Sequence, residues 1–160
     1  MLKWFQYLLP VATVGIPIVF WLRYRQAASH LGPESDALPS IRSAAVFLAT
    51  LMLITGIFVT TVNYLSGVPV LTCLMAVPPT KPWGYALWAG QVLFSLAFLT
   101  WLWVGPGARQ LAAYVGAPPR GWTILPSRLR LLVTAALVLV PVVVAVLERG
   151  REVRPYCVAA

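Results

Sequence analysis

The sequence predicts an all-α integral membrane protein, a bundle of four transmembrane helices with short interfacial segments between them. Three observations lead there. Hydrophobic residues make up 60% of the 160 and charged residues only 10%, too few charges to clothe a water-facing surface of this size. Four apolar runs, Trp4–Leu22, Ser43–Ser66, Trp83–Val104 and Leu131–Leu147, contain no Asp, Glu, Lys, Arg or His. Tryptophans stand at the ends of the first and third runs, where amphipathic indoles anchor a span at both headgroup levels. These runs place helices near 4–23, 43–66, 83–104 and 130–148 in a single membrane domain spanning 1–160.

The first helix is bracketed by Trp4 and Trp21 and followed by Arg23 and Arg25. A signal peptide carries its basic residues before the apolar core and a small-residue cleavage site after it; here the arginines follow, so a retained helix is expected. Pro10 and Pro17 should kink it, because each removes a helical hydrogen bond. Tyr24–Arg42 is the most polar stretch, with GPESD and LPS as loop signals. It carries the only histidine, His30, which has no metal-ligating neighbour and reads as an exposed side chain.

In Ser43–Ser66, residues Ala45, Ala49, Met52, Gly56, Thr60 and Asn63 fall on one face of a helical wheel. In Trp83–Val104, Ala86, Gly90, Leu93, Ala97 and Thr100 do the same. Small residues let helix backbones approach closely in lipid, where the hydrophobic effect gives no drive to associate. The second and third helices are therefore expected to pair through Ala45, Ala49, Gly56, Thr60 and Asn63 against Ala86, Gly90 and Ala97. The third run is 22 residues long, about 33 Å as a helix and enough for a bilayer core of about 30 Å.

The connection Gly67–Pro82 is apolar but holds four prolines, which forbid a long helix. Gly105–Arg130 is broken by GPG, APP and LPS, leaving one or two interfacial turns at Ala108–Val115 and an interface anchor at Trp122. The fourth run is the shortest, at 17 residues with Pro141 inside it, near the lower limit for a span.

The formal net charge is +8. In a soluble protein that balance would suggest nucleic acid; here the basic residues flank apolar runs and face headgroups, so no nucleic-acid partner is expected. With four spans, Arg23, Arg25, Arg42, Arg109, Arg120, Arg128 and Arg130 share one side. Lys3, Lys81, Arg149, Arg151 and Arg154 share the other. The positive-inside rule then puts the first and third loops in the cytoplasm and both termini outside, in a bacterial-type inner membrane. The same topology puts Cys73 and Cys157 together on the extracytoplasmic side, where a disulfide between them would persist.

No intramembrane charge marks a proton relay or ion path, and no helix histidine is available for haem. No phosphate loop, HExxH or catalytic triad set is present. Catalytic and metal-binding residues are not expected. The helices' polar residues read first as interhelical hydrogen-bonding groups. Gln91 and Ser95 lie opposite the small face of their helix and, with Trp88 and Phe98, form a candidate contact for a quinone, pigment or lipid. The leading functional expectation is an accessory, structural subunit of a larger energy-converting or transport complex, with lipid and other membrane subunits as partners. Two alternatives stand beside it: a small membrane redox protein or enzyme of thiol or quinone type using Cys73 and Cys157, and a homo-oligomeric carrier of lipid or small molecules.

Overall fold

A computed structural model describes residues 3–66, 82–119 and 122–148. It contains five helices and, among the described residues, no strand: α1 (Lys3–Leu31), α2 (Leu38–Ser66), α3 (Pro82–Trp103), α4 (Gly107–Gly116) and α5 (Pro126–Glu148). Two of them, α2 and α3, are long and apolar enough to cross a membrane.

The helices run further than the apolar runs. An apolar run ends where charges begin, whereas a helix ends where its backbone is stopped. Nothing in Tyr24–Leu31 breaks a helix, so α1 continues past Arg23 and Arg25 to Leu31. Gly32 stops it. With φ +78° it takes the left-handed conformation that side chains disfavour, and its N–H donates to the Ala28 carbonyl at 3.2 Å, closing the last turn. The polar stretch read as a long connection is thus a six-residue turn between two helices. Likewise α5 starts at Pro126, a residue suited to a helix start because its missing N–H would be unsatisfied there anyway. Its 23 residues reach about 34 Å, further than the 17-residue apolar run within it. Helix α1 is continuous across Pro10 and Pro17.

Packing departs from the expected pairing. The small face of α2 lies on α1. A Cβ placed on Gly56 would come within 2.6 Å of the Thr13 hydroxyl oxygen, and Thr60 and Thr13 hydroxyls meet at 3.4 Å. Ala45 is fully buried, and Asn63 is buried near the far end of the same face; Ala49 is half-buried. The proposed pairing of this face with α3 is therefore corrected: close backbone approach in this chain joins α1 and α2.

Helix α3 still packs on α2, through a different surface. Ala86 and Ala97 are exposed, and Leu93 is 65% exposed. The surface turned inward carries Leu87, Gly90, Phe94, Phe98 and Trp101, about 80° around the helix from the small face at 100° per residue. Gly90 belongs to both, and its missing side chain is filled by the Phe58 ring of α2. Phe58 also meets Phe94 edge-on with centroids 5.9 Å apart, and Phe47 stacks on Trp101 at 4.1 Å and 15°. The reason is that α2 offers α3 aromatic rings, and a ring needs a groove wall of large side chains with one gap. A smooth alanine strip would leave voids beside it.

Two close approaches thus fix the α1–α2–α3 layer, at Gly56 and at Gly90. Gly56→Leu and Gly90→Leu are each expected to lower stability by about 1–3 kcal/mol through overpacking. Gly15→Leu, where a Cβ meets nothing within 4 Å, should be tolerated. Thermal unfolding of the three variants in detergent checks this, and an unchanged midpoint for Gly56→Leu would remove the α1–α2 contact as described.

Candidate functional site

Among the described residues the main buried cluster lies where the ends of the helices converge. Ala27 of α1, Ile41, Ala44, Ala45 and Leu48 of α2, Leu102 of α3, Leu129 of α5 and three residues of α4 form one buried cluster. Helix α4 is the piece they surround. Its sequence GARQLAAYVG puts Gly107, Ala108, Leu111 and Tyr114 on one face, all buried, while Arg109 stays exposed. That spacing is the 3–4 repeat of an amphipathic helix. Ala117 follows with an extended backbone, φ −64° and ψ 142°, as a residue before proline prefers. Where one or two interfacial turns are expected at Ala108–Val115, the chain forms a single ten-residue helix with a buried face; Trp122 beyond it is 64% exposed.

Two arginines lock this collar in the same way. Arg23 of α1 donates to the Val115 carbonyl at 3.2 Å and lies over the Tyr114 ring, 4.9 Å from its centroid. Arg130 of α5 donates to the Leu102 carbonyl at 3.1 Å and lies 5.6 Å from the Trp103 ring centroid. Each guanidinium satisfies a carbonyl in the last turn of a helix, where no later N–H of that helix donates to it and the helix dipole is negative. Each also places its flat cation on an aromatic face. Trp103 donates its indole N–H to the Thr134 hydroxyl at 2.9 Å, a second tie between α3 and α5. Tyr114 donates to the Phe20 carbonyl at 3.5 Å. Burial raises the Tyr114 pKa above the ordinary tyrosine value, partly offset by the Arg23 charge.

The four residues read as a contact for a quinone, pigment or lipid do not share one cavity. Gln91 donates to Ser95 at 3.4 Å on the outward side of α3, and Trp88 is 47% exposed. Phe98 turns away into the aromatic group with Phe47 and Trp101. His30 is exposed in the last turn of α1. Among the described residues no cluster of His, Cys, Asp and Glu could hold a metal. Cys73 and Cys157, with the disulfide expected between them, lie outside the described residues.

A feature that sequence reading passed over is an open cleft of about 1060 Å³ between the α1–α2 turn, the first three turns of α2 and Trp101 of α3. Glu34, Asp36 and Arg42 line it together with Tyr24, Phe47 and Trp101. The acids looked like ordinary loop residues because the aromatic walls come from elements far apart in the chain. Comparison with protein families, curated proteins and solved structures finds no match.

Replacing Arg23 or Arg130 with Met removes a carbonyl partner and a ring contact together, and each variant should lose about 1–2 kcal/mol. Lys at either position should recover only part of that, since it keeps the charge without the planar fork. Chemical denaturation in detergent reads both, and wild-type midpoints for the two Met variants would dismiss the locks.

The Tyr114 phenol carries a pH consequence. Its folded pKa lies above the unfolded value of about 10, so the protonated phenol's contribution is complete below that pH. It is lost as pH rises through the raised folded value. Above about pH 10 the wild type should therefore lose more stability than Tyr114→Phe. Parallel losses in the two proteins would show that Tyr114 titrates as a free tyrosine.

Proposed function

We propose that the chain is an accessory subunit of a larger membrane assembly, with its four long helices crossing the bilayer and the collar lying at one membrane face. The observation that carries this reading is where burial stops. Helices α2 and α3 have only 17% of their most apolar 18-residue windows buried. Beyond the collar, large apolar side chains stand exposed on all four long helices, among them Val11 and Val14, Ile54 and Ile57, Leu93 and Leu96, and Val138 and Leu139. Water tolerates exposed apolar patches of a few hundred Å²; lipid and neighbouring subunits cover a belt on four helices without cost. The buried cluster gathers the end of α1, the start of α2, the end of α3 and the start of α5, an arrangement that favours four antiparallel crossings. It also brings the arginine-rich ends together, which favours that end as the cytoplasmic one.

The chain holds itself together at one end and offers long apolar flanks elsewhere. A component that fills space between other subunits needs such flanks, together with a rigid anchor for its own fold. The exposed Trp88, Gln91 and Ser95 side of α3 is then a surface for lipid or for another subunit, and a bound quinone or pigment is not required for it.

Purification of the tagged chain from its native membrane in a gentle detergent, followed by mass spectrometry, is expected to recover foreign membrane subunits in fixed stoichiometry. Recovery of a homo-oligomer alone would favour the carrier alternative and remove this proposal. A chain that washes from membranes with alkaline carbonate would remove the membrane reading altogether.

A further inference from the structure

The cleft beside the α1–α2 turn has a charge order that matches one class of molecule. Resting on the membrane reading above, we infer that it holds a phospholipid whose headgroup ends in a cation, of the ethanolamine or choline type. Helix α2 enters the membrane from Leu38, so position along it reports depth at about 1.5 Å per residue. Glu34 and Asp36, on the turn, form the outer rim. Arg42 and Ser43 come next, one turn into α2. Phe47 and Thr50 lie one to two turns deeper, facing Trp101. From water inward the wall is therefore anionic, then cationic with a hydroxyl, then mainly aromatic and apolar, with the Thr50 hydroxyl its one polar group there. A zwitterionic phospholipid has the complementary order: ammonium outermost, phosphate beneath it, glycerol and acyl chains below.

The three charges are available for this. Glu34, Asp36 and Arg42 are exposed, and among the described residues none of them has a hydrogen-bonded or ionic partner. Arg42 differs in this from Arg23 and Arg130, which are spent on helix carbonyls and rings. The two acids are the only ones in the chain that precede Glu148, and both line this one cleft beside Arg42. A guanidinium takes a phosphate in a forked geometry that an ammonium cannot reproduce, and Tyr24 of α1, at about the depth of Phe47, adds to the aromatic wall below it. The opposite signs do not satisfy each other, and a ligand carrying both signs at that spacing pairs with all of them. An anionic lipid with an uncharged head would meet Arg42 but leave the carboxylates facing nothing.

The test uses the full chain in detergent micelles with an equimolar mixture of phosphatidylethanolamine, phosphatidylcholine and phosphatidylglycerol, read by native mass spectrometry. The wild type should retain the two zwitterionic lipids over phosphatidylglycerol by about threefold or more, the scale of one or two exposed charge contacts. Glu34→Gln with Asp36→Asn should erase that preference while leaving phosphatidylglycerol bound. Arg42→Gln should weaken all three. All of these positions are exposed, and unchanged thermal midpoints would show that the variants fold. Equal retention of the three lipids by the wild type, or wild-type retention by Arg42→Gln, overturns the inference. Displacement of the lipid by soluble glycerophosphoethanolamine alone would overturn its bilayer source. A chain that stays in the membrane through carbonate washing but shows no lipid preference fails only this inference, whereas one that washes out fails the membrane reading beneath it.

Discussion

The structure depends on burying one face of a ten-residue helix. Helix α4 is too short to be stable in water by itself, and its face of Gly107, Ala108, Leu111 and Tyr114 is covered only where the ends of four longer helices converge. The dependence runs both ways. Among the described residues α5 touches α3 and α4, so much of what joins it to the rest passes through this short piece. Small residues at the meeting point, Ala27, Ala44, Ala45 and Ala108, allow backbones to come close around it. Tyr114 is the largest side chain of that face, and it is tied to α1 at both its hydroxyl and its ring.

Arginine does two jobs in this chain, and position separates them. Arg23 and Arg130 sit in the last turns of α1's apolar flank and the first turn of α5, close enough to reach carbonyls that a helix end leaves open. They give up hydration for a carbonyl, a ring and a favourable dipole, a combination that offsets partial burial of a cation. Arg25, Arg42, Arg109 and Arg128 remain exposed. A count of basic residues for orientation treats all of them alike. The structure divides the described ones into those that hold helices together and those that stay exposed.

The apolar flanks and the collar answer different constraints. In water, a helix must bury its apolar side against protein; in lipid that requirement disappears, and association rests on fit and on a few polar contacts. The α1–α2 contact illustrates this, with two threonine hydroxyls meeting across a glycine. The α2–α3 contact uses ring packing around Gly90 instead. Neither is extensive enough to bury the long helices, and the proposed role as a packing component follows from that shortfall.

Composition and period alone determined the helical class, the number of long helices and their centres, because charge-free runs of about 20 residues leave few other structures open. At α4 they marked only one or two interfacial turns between proline breaks, where the chain forms a ten-residue helix. Helix ends were less legible: Tyr24–Leu31 is polar yet helical, and polarity reports solvent rather than backbone conformation. Which faces meet was decided only by tertiary structure. A wheel shows that Gly56 and Gly90 stand among small residues, but it cannot say whether the neighbour supplies a threonine or a phenylalanine, and those two neighbours choose opposite kinds of surface. The cleft at Glu34, Asp36 and Arg42 was hidden for the same reason. Its aromatic wall includes Trp101, which lies close to Phe47 only because α3 is rotated away from its small-residue face. Long-range neighbours carry no local signal, so side-chain fit between helices had to settle what periodicity left open.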